Sequence, residues 1–153
     1  MTNLKLRLAA ESDIPEMHKI RMSVVENRLS DPLALTYADY VPYIAKRGES
    51  WIQESDTEIA GFASIDWHDA SIWALFVDPQ MEGRGIGQTL FTRLIERASE
   101  MGLSKISLTT TPGTRAEAFY LRQGWETVAT EENGEVRMIL DLKLGSEIKE
   151  LNH

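Results

Sequence analysis

No cysteine occurs in the 153 residues. That absence excludes disulfides, a thiolate nucleophile and Cys-type zinc sites. It fits a reducing interior, and a cytoplasmic location is expected. Histidine is scarce. His18, His68 and His153 stand apart without metal-ligand spacing, so no metal is expected. No apolar run approaches the roughly 20 residues of a membrane span. Charges inside the N-terminal stretch MTNLKLRLAAESD argue against a signal peptide. Internal repeats and low-complexity linkers are absent. Basic residues are also in short supply: 16 Lys and Arg against 24 Asp and Glu leave a net charge of −8. Phosphate backbones need a basic footprint, so nucleic acid is not an expected partner. The acidic balance mildly steers cationic substrates inward, although solubility alone accounts for it.

What remains is the composition of a soluble globule, 42% hydrophobic and 26% charged. A chain of this length buries about 70% of its unfolded surface, enough for one real core. One domain is expected over residues 1–142, with a tail over 143–153. Leu4 to Leu8 alternates and reads as a strand. Asp13 and Glu16 have capping-box spacing, and they open a helix that runs to about Arg28. The Ser30-Asp31-Pro32 break is followed by a second helix near Tyr37 to Lys46. A short strand is expected at Trp51 to Glu54, a long one at Glu58 to Trp67 and another at Ser71 to Val77, the last two as a hairpin. Gly87 to Met101 is the clearest helix, with an apolar stripe of Leu90, Phe91, Leu94, Ile95, Ala98 and Met101, stopped by Gly102. A strand over Lys105 to Thr110 and a helix over Arg115 to Gln123 follow. A final hairpin joins Trp125 to Ala129 with Val136 to Leu142, turning near Asn133-Gly134. Helices and strands alternate only in part, which predicts a mixed α/β sheet with helices on both faces.

The stretch FVDPQMEGRGIGQTLF (76–91) carries the chemistry. A strand runs into a glycine-rich loop and then a helix, the setting in which orphan helix amides hold an anion. Gly83, Gly85 and Gly87 remove side chains where backbone would meet phosphate oxygens. A flexible turn that is merely rich in glycine is the plainer alternative. Spacing sorts the ligand classes. GRGIG is one residue too tight for a dinucleotide fingerprint, and the Lys-Ser/Thr of a P-loop is missing.

This stretch resembles the acyl-CoA-binding motif of the GNAT superfamily of N-acetyltransferases, with Val77, Pro79, Gly85 and Gly87 at the matching positions. Glu82 stands where Gln or Arg is usual. A second segment, RAEAFYLRQGW (115–125), resembles the family's downstream motif through Ala116, Phe119, Tyr120, Gly124 and Trp125. Gly113 stands where Asn is frequent. The resemblance implies a GNAT-like mixed, mostly antiparallel sheet of about seven strands flanked by about four helices. It implies acetyl-CoA as co-substrate, with no metal. Leu75, Phe76 and Val77 would pair with pantetheine, and the Leu75 amide would face the thioester oxygen. Glu82 and the loop and helix residues Gly83, Arg84, Gly85, Ile86, Gly87 and Gln88 would line the pyrophosphate. Ala116, Phe119 and Tyr120 would meet the cofactor arm, with Tyr120 as proton donor to the departing thiolate.

The acceptor implied is a small-molecule or peptide amine. Family members often carry a Glu early in the cofactor strand; Ser71 stands there here. Asp66 is the first candidate for the base, at the end of a buried strand. On the first helix, Ile14, Met17, Ile20 and Val24 form the buried stripe, and Arg21 projects to the same side. Arg21 would bind an acidic group of the acceptor or pair with Asp66; a snorkelling or structurally paired arginine is the alternative. Trp67 and His68 are further acceptor candidates, with Trp73 read as core. A non-catalytic acyl-CoA sensor or an interaction domain is the alternative function on the same fold. The resemblance is compatible with a homodimer.

Overall fold

A computed structural model describes residues 4–24 and 35–142. These fall into two compact units, one up to Leu94 and one from Ile95 onward.

In the first unit the alternating LKLRL stretch forms strand β1 (Lys5–Leu8). A 3-10 turn, Glu11–Asp13, leads into helix α1 (Ile14–Ser23). The capping box expected on this helix is not made. Asp13 instead accepts from the Ala10 amide at 2.7 Å and holds Arg7 at 2.9 Å. Helix α1 stops at Ser23 and Val24 is extended, so the helix is shorter than its pattern suggests. Arg28 and the Ser30–Pro32 break lie outside the described residues. The expected second helix divides into a 3-10 turn, Tyr37–Tyr40, and a short helix α2 (Pro42–Ala45). Pro42 has no amide to donate, so one unbroken helix across it would lose a bond.

Strands β2 (Gly48–Glu54), β3 (Ile59–Asp66) and β4 (Ser71–Val77) complete an antiparallel array in the order β1-β2-β3-β4. Every residue of β3 is buried. This explains why IAGFASID shows no alternation: both faces of the strand are covered. Arg7 also grips Glu54 at 2.8 Å, so one guanidinium ties β1, β2 and the entry to α1 together. One core cluster joins Ile14, Met17 and Ile20 of α1 to Ile52, Phe62 and Ala74, with Tyr40 fully buried among them.

Helix α3 (Ile86–Glu100) runs from the first unit into the second. Its N-terminal end packs close on β3 because Gly61 has no side chain. A Cβ there would stand 3.0 Å from Ile86 Cγ2 and 3.1 Å from Leu90 Cδ1. Leu90, Phe91, Leu94 and Ala98 are buried as expected, but Met101 lies past the helix end and is exposed. The second unit holds β5 (Lys105–Thr110), helix α4 (Arg115–Arg122), β6 (Glu126–Thr130) and β7 (Val136–Asp141). Its strands are antiparallel in the order β5-β7-β6. Among the described residues seven strands and four α-helices make a mixed α/β fold with mostly antiparallel pairing, as expected.

Candidate active site

The cofactor strand is best understood from its pairing. Asp78 donates its amide to Ala60 at 2.8 Å, just beyond β4. Phe76 lies opposite Phe62, and Ala74 opposite Ser64, in the same register. Hydrogen-bonded and non-hydrogen-bonded pairs alternate along an antiparallel ladder. The pairs Asp78–Ala60, Phe76–Phe62 and Ala74–Ser64 therefore exchange the bonds. Leu75 and Val77 point their amides and carbonyls away from β3. A bulge follows toward the start of the strand: Ile72 faces Ile65 and Ala74 faces Ser64, leaving Trp73 without an opposite partner.

Beyond β4 the chain makes a 3-10 turn, Pro79–Met81, capped by the Asp78 carboxylate on the Gln80 amide at 2.9 Å. Gly83 and Gly85 have φ of 80° and 76°, a region that favours glycine. Helix α3 makes its first internal bond from Thr89 to the Gly85 carbonyl at 3.0 Å. The amides just after Gly85, on Ile86 and Gly87, thus have no acceptor within the helix and face outward from its positive end. Gly87 differs from the other two. Its φ is not positive, and a Cβ would meet only Val77 Cγ2, at an ordinary 3.6 Å. The protein's own packing and backbone do not require glycine there. Glu82, Arg84 and Gln88 are exposed on this turn.

On the other side of β4, Arg21 reaches from α1 over two rings of that strand. Its guanidinium carbon lies 4.8 Å from the Trp73 ring centre and 4.9 Å from that of Phe76. Burial lowers its pKa, partly offset by Tyr40 and Tyr43. Asp66 is not its partner. The Asp66 carboxylate is 3% exposed and accepts from Arg47 Nε at 2.7 Å and from the Asp69 amide at 3.0 Å. Burial pushes its pKa up, but Arg47 and these turn amides outweigh that and hold it below the usual carboxylate range. Arg47 also meets Asp69 at 2.9 Å. Trp67 and His68 sit in the β3–β4 turn, Trp67 partly buried and His68 exposed. That turn is some four residues, about 13 Å of strand, from Leu75. Arg21, in contrast, lies over Trp73 and Phe76, which flank Leu75 along the strand.

Sequence reasoning gave no site role to three aromatic groups in this region, His18, Tyr40 and Tyr43. Tyr43 stacks on Trp73 at 4.2 Å, and Tyr40 meets Trp73 edge-on at 5.1 Å. His18 Nδ1 lies 2.9 Å from the Tyr40 hydroxyl. Burial drives the Tyr40 pKa up to about 12. The clue in the sequence was the spacing of Tyr37, Tyr40 and Tyr43, one face of a tight helical turn. Trp73, read as core, is a partly buried platform for a cation.

In the second unit, Thr114 caps α4 by accepting from the Glu117 amide at 3.3 Å. The Gly113 amide is held by Glu117 Oε1 at 3.0 Å. Tyr120 is 6% exposed, edge-on to Phe119 and Trp125 at 5.4 Å each. Burial raises its pKa, so the phenol stays protonated at neutral pH. Ala116 and Phe119, on the same helix, are partly buried. Among the described residues no group of three or more His, Asp or Glu could hold a metal. No described helix is long and apolar enough to cross a membrane.

The site thus sets a strand with outward-facing amides, a glycine turn and a helix N-terminus in succession on a mixed α/β fold. The model of the acetyltransferase (GNAT) family matches residues 14–125, and the chain belongs to that family. Among solved structures, the ribosomal-protein-S18-alanine N-acetyltransferase of Escherichia coli aligns with a TM-score of 0.74 at 16% identity, covering 92% of this chain and 94% of that one. The PaiA N-acetyltransferase of Thermoplasma acidophilum, in complex with coenzyme A, gives 0.70 at 12% identity over 91% and 99%. YncA of Salmonella typhimurium, with its cofactor acetyl-CoA, gives 0.72 at 17% over 91% and 94%. Likenesses this distant establish the fold. No curated protein matches the sequence.

Proposed function

We propose that this protein is an acetyl-CoA-dependent N-acetyltransferase that moves an acetyl group to a primary amine by direct attack in a ternary complex. The observation that carries this is β4 itself, whose Leu75 and Val77 amides turn away from β3 just before the glycine turn. Pantetheine amides would pair with that side of the strand, and the Leu75 amide would polarise the thioester carbonyl. The pyrophosphate would rest on the amides of Gly83 to Gln88. Coenzyme A bound to the PaiA enzyme and acetyl-CoA bound to YncA support the same ligand here.

The chemistry balances simply. The amine nitrogen forms a bond to the thioester carbon, and the tetrahedral intermediate collapses with loss of the CoA thiolate. Tyr120, kept protonated by its burial, would donate to that sulfur and regain a proton, through water, from the acylated nitrogen, which loses its second proton to become the amide. An alkylammonium of pKa near 10.4 must first lose a proton. Asp66 is the proposed receiver, through intervening water, because it faces Ser71, four residues along β4 from Leu75, and is held by Arg47. No cysteine is present for an acyl-enzyme, which favours direct attack. The occupied state of Asp66 favours one rival, a sensor that binds acyl-CoA without turnover.

Thermal unfolding with acetyl-CoA, CoA and ATP tests the groove. At a hundredfold excess over Kd, binding adds about 2.7 kcal/mol. A rise in Tm with both CoA species and not with ATP is expected; its absence at millimolar acetyl-CoA would overturn the assignment. Release of CoA that depends on an added amine separates the enzyme from the sensor.

A further inference from the structure

Of Arg7, Arg21 and Arg47 in the first unit, two are matched by carboxylates. Arg7 holds Asp13 and Glu54; Arg47 holds Asp66 and Asp69. Arg21 holds no carboxylate among the described residues, and its Nη1 is closed off from solvent with no hydrogen-bond partner. The groups that favour its charge are the side chains of Tyr40 and Tyr43. A buried donor left without an acceptor is costly, and more so when it carries charge. Cation–π contact with Trp73 and Phe76 offsets part of that cost. Lying over the rings and hydrogen-bonded to Tyr40, the guanidinium still has its Nη1 donors to satisfy.

Its position gives this a direction. Trp73 and Phe76 bracket Leu75, and three residues of strand span about 10 Å. An anion held by Arg21 therefore lies within one small molecule's length of the Leu75 amide. We propose that Arg21, stacked on Trp73 and Phe76 beside Leu75, anchors a carboxylate of the acceptor, so that the acceptor is an amine bearing a carboxylate, of the amino-acid class. One cation suits a monoanion. The planar fork suits a carboxylate. A dianionic phosphate would call for further cations, and Arg47 is already engaged. The net charge of −8 attracts the ammonium end while Arg21 receives the carboxylate, which together select a zwitterion.

This inference rests on the transferase reading for its context but is tested apart from it. N-acetyl derivatives of alanine, phenylalanine and glutamate are compared by calorimetry with their carboxamides (the glutamate pair amidated at the α-carboxyl), in the presence of CoA. At least one free acid should bind tenfold or more tightly than its amide. Arg21→Met, which keeps the length and stacking of the side chain, should bring the pair within about twofold while the Kd for CoA holds. Arg21→Lys keeps the charge without the fork and should recover part of the preference. No preference for any acid, or a preference that survives in both variants, overturns the proposal. Matched amino acids and amino-acid amides are then assayed for CoA release. Arg21-dependent acid binding without turnover from any amine would leave the carboxylate site standing and remove the transferase. Turnover without acid preference would do the reverse.

Discussion

Gly87 is the residue at which folding and ligand binding separate. Gly83 and Gly85 need glycine for their backbone angles, so alanine at either should cost about 1 kcal/mol of stability. Gly87 needs it for neither angle nor space. Gly87→Ala should leave Tm unchanged or slightly higher, and raise the Kd for acetyl-CoA at least tenfold if a phosphate comes against that backbone. Equal affinity in the two proteins would mean that the glycine faces no ligand. Asp66 offers a second separation. Arg47 helps hold its pKa below the ordinary range. In Arg47→Met that restraint is gone, and buried Asp66 should titrate at higher pH. If Asp66 accepts the amine proton, the acidic limb of the kcat/KM profile moves to higher pH with it. A limb that stays put would assign the proton to another group.

Among the elements, the approach of α3 to β3 depends on one missing side chain. A Cβ on Gly61 would lie 2.9 Å from the Phe76 carbonyl oxygen as well as against Ile86 and Leu90. Backbone cannot yield as a flexible side chain does. Gly61→Ala should therefore lower stability by about 1–3 kcal/mol and weaken acetyl-CoA binding, because it pushes at the N-terminal turn of α3. Thermal unfolding and titration on the same sample check both effects; a stable variant with unchanged Kd would show that the turn is not held from beneath. The strand and the turn were legible beforehand because glycine and proline constrain the backbone locally. The bulge at Trp73 was not. It is a property of register between two strands, and residues 71–77 look the same with or without it.

For the whole molecule, acid is the informative stress. Asp13, Glu54 and Asp66 all have folded pKa values lowered from the ordinary one. For Asp13 and Glu54 the largest cause is the hydrogen bond to Arg7. For Asp66, Arg47 and turn amides overcome the effect of burial. Their contribution to stability is complete above the unfolded carboxylate pKa, near 4, and is lost as pH falls through the folded values. Arg7 and Arg47 have raised pKa values and stay charged throughout. The Tm difference between the native protein and Asp66→Asn should thus be largest at pH 6–7 and narrow toward pH 2–3. A difference independent of pH would mean that the carboxylate's charge adds nothing to folding.

Residue order alone was enough to identify the glycine turn, the helix after it, most strand positions and the family, since these depend on near neighbours and on motifs at fixed separation. It also singled out Arg21 as facing inward, from helical periodicity. What it left open was partnership. Asp66 had Arg21 as its candidate partner; Arg47, nineteen residues away in sequence, closes on it because β2 and β3 pair in register there. Trp73 packs against the core as read from the sequence, but the bulge that leaves it without an opposite residue and the guanidinium over it were not legible. The side chains that meet are chosen by strand register and helix packing, which sum over many distant contacts, and only folding brings those contacts together.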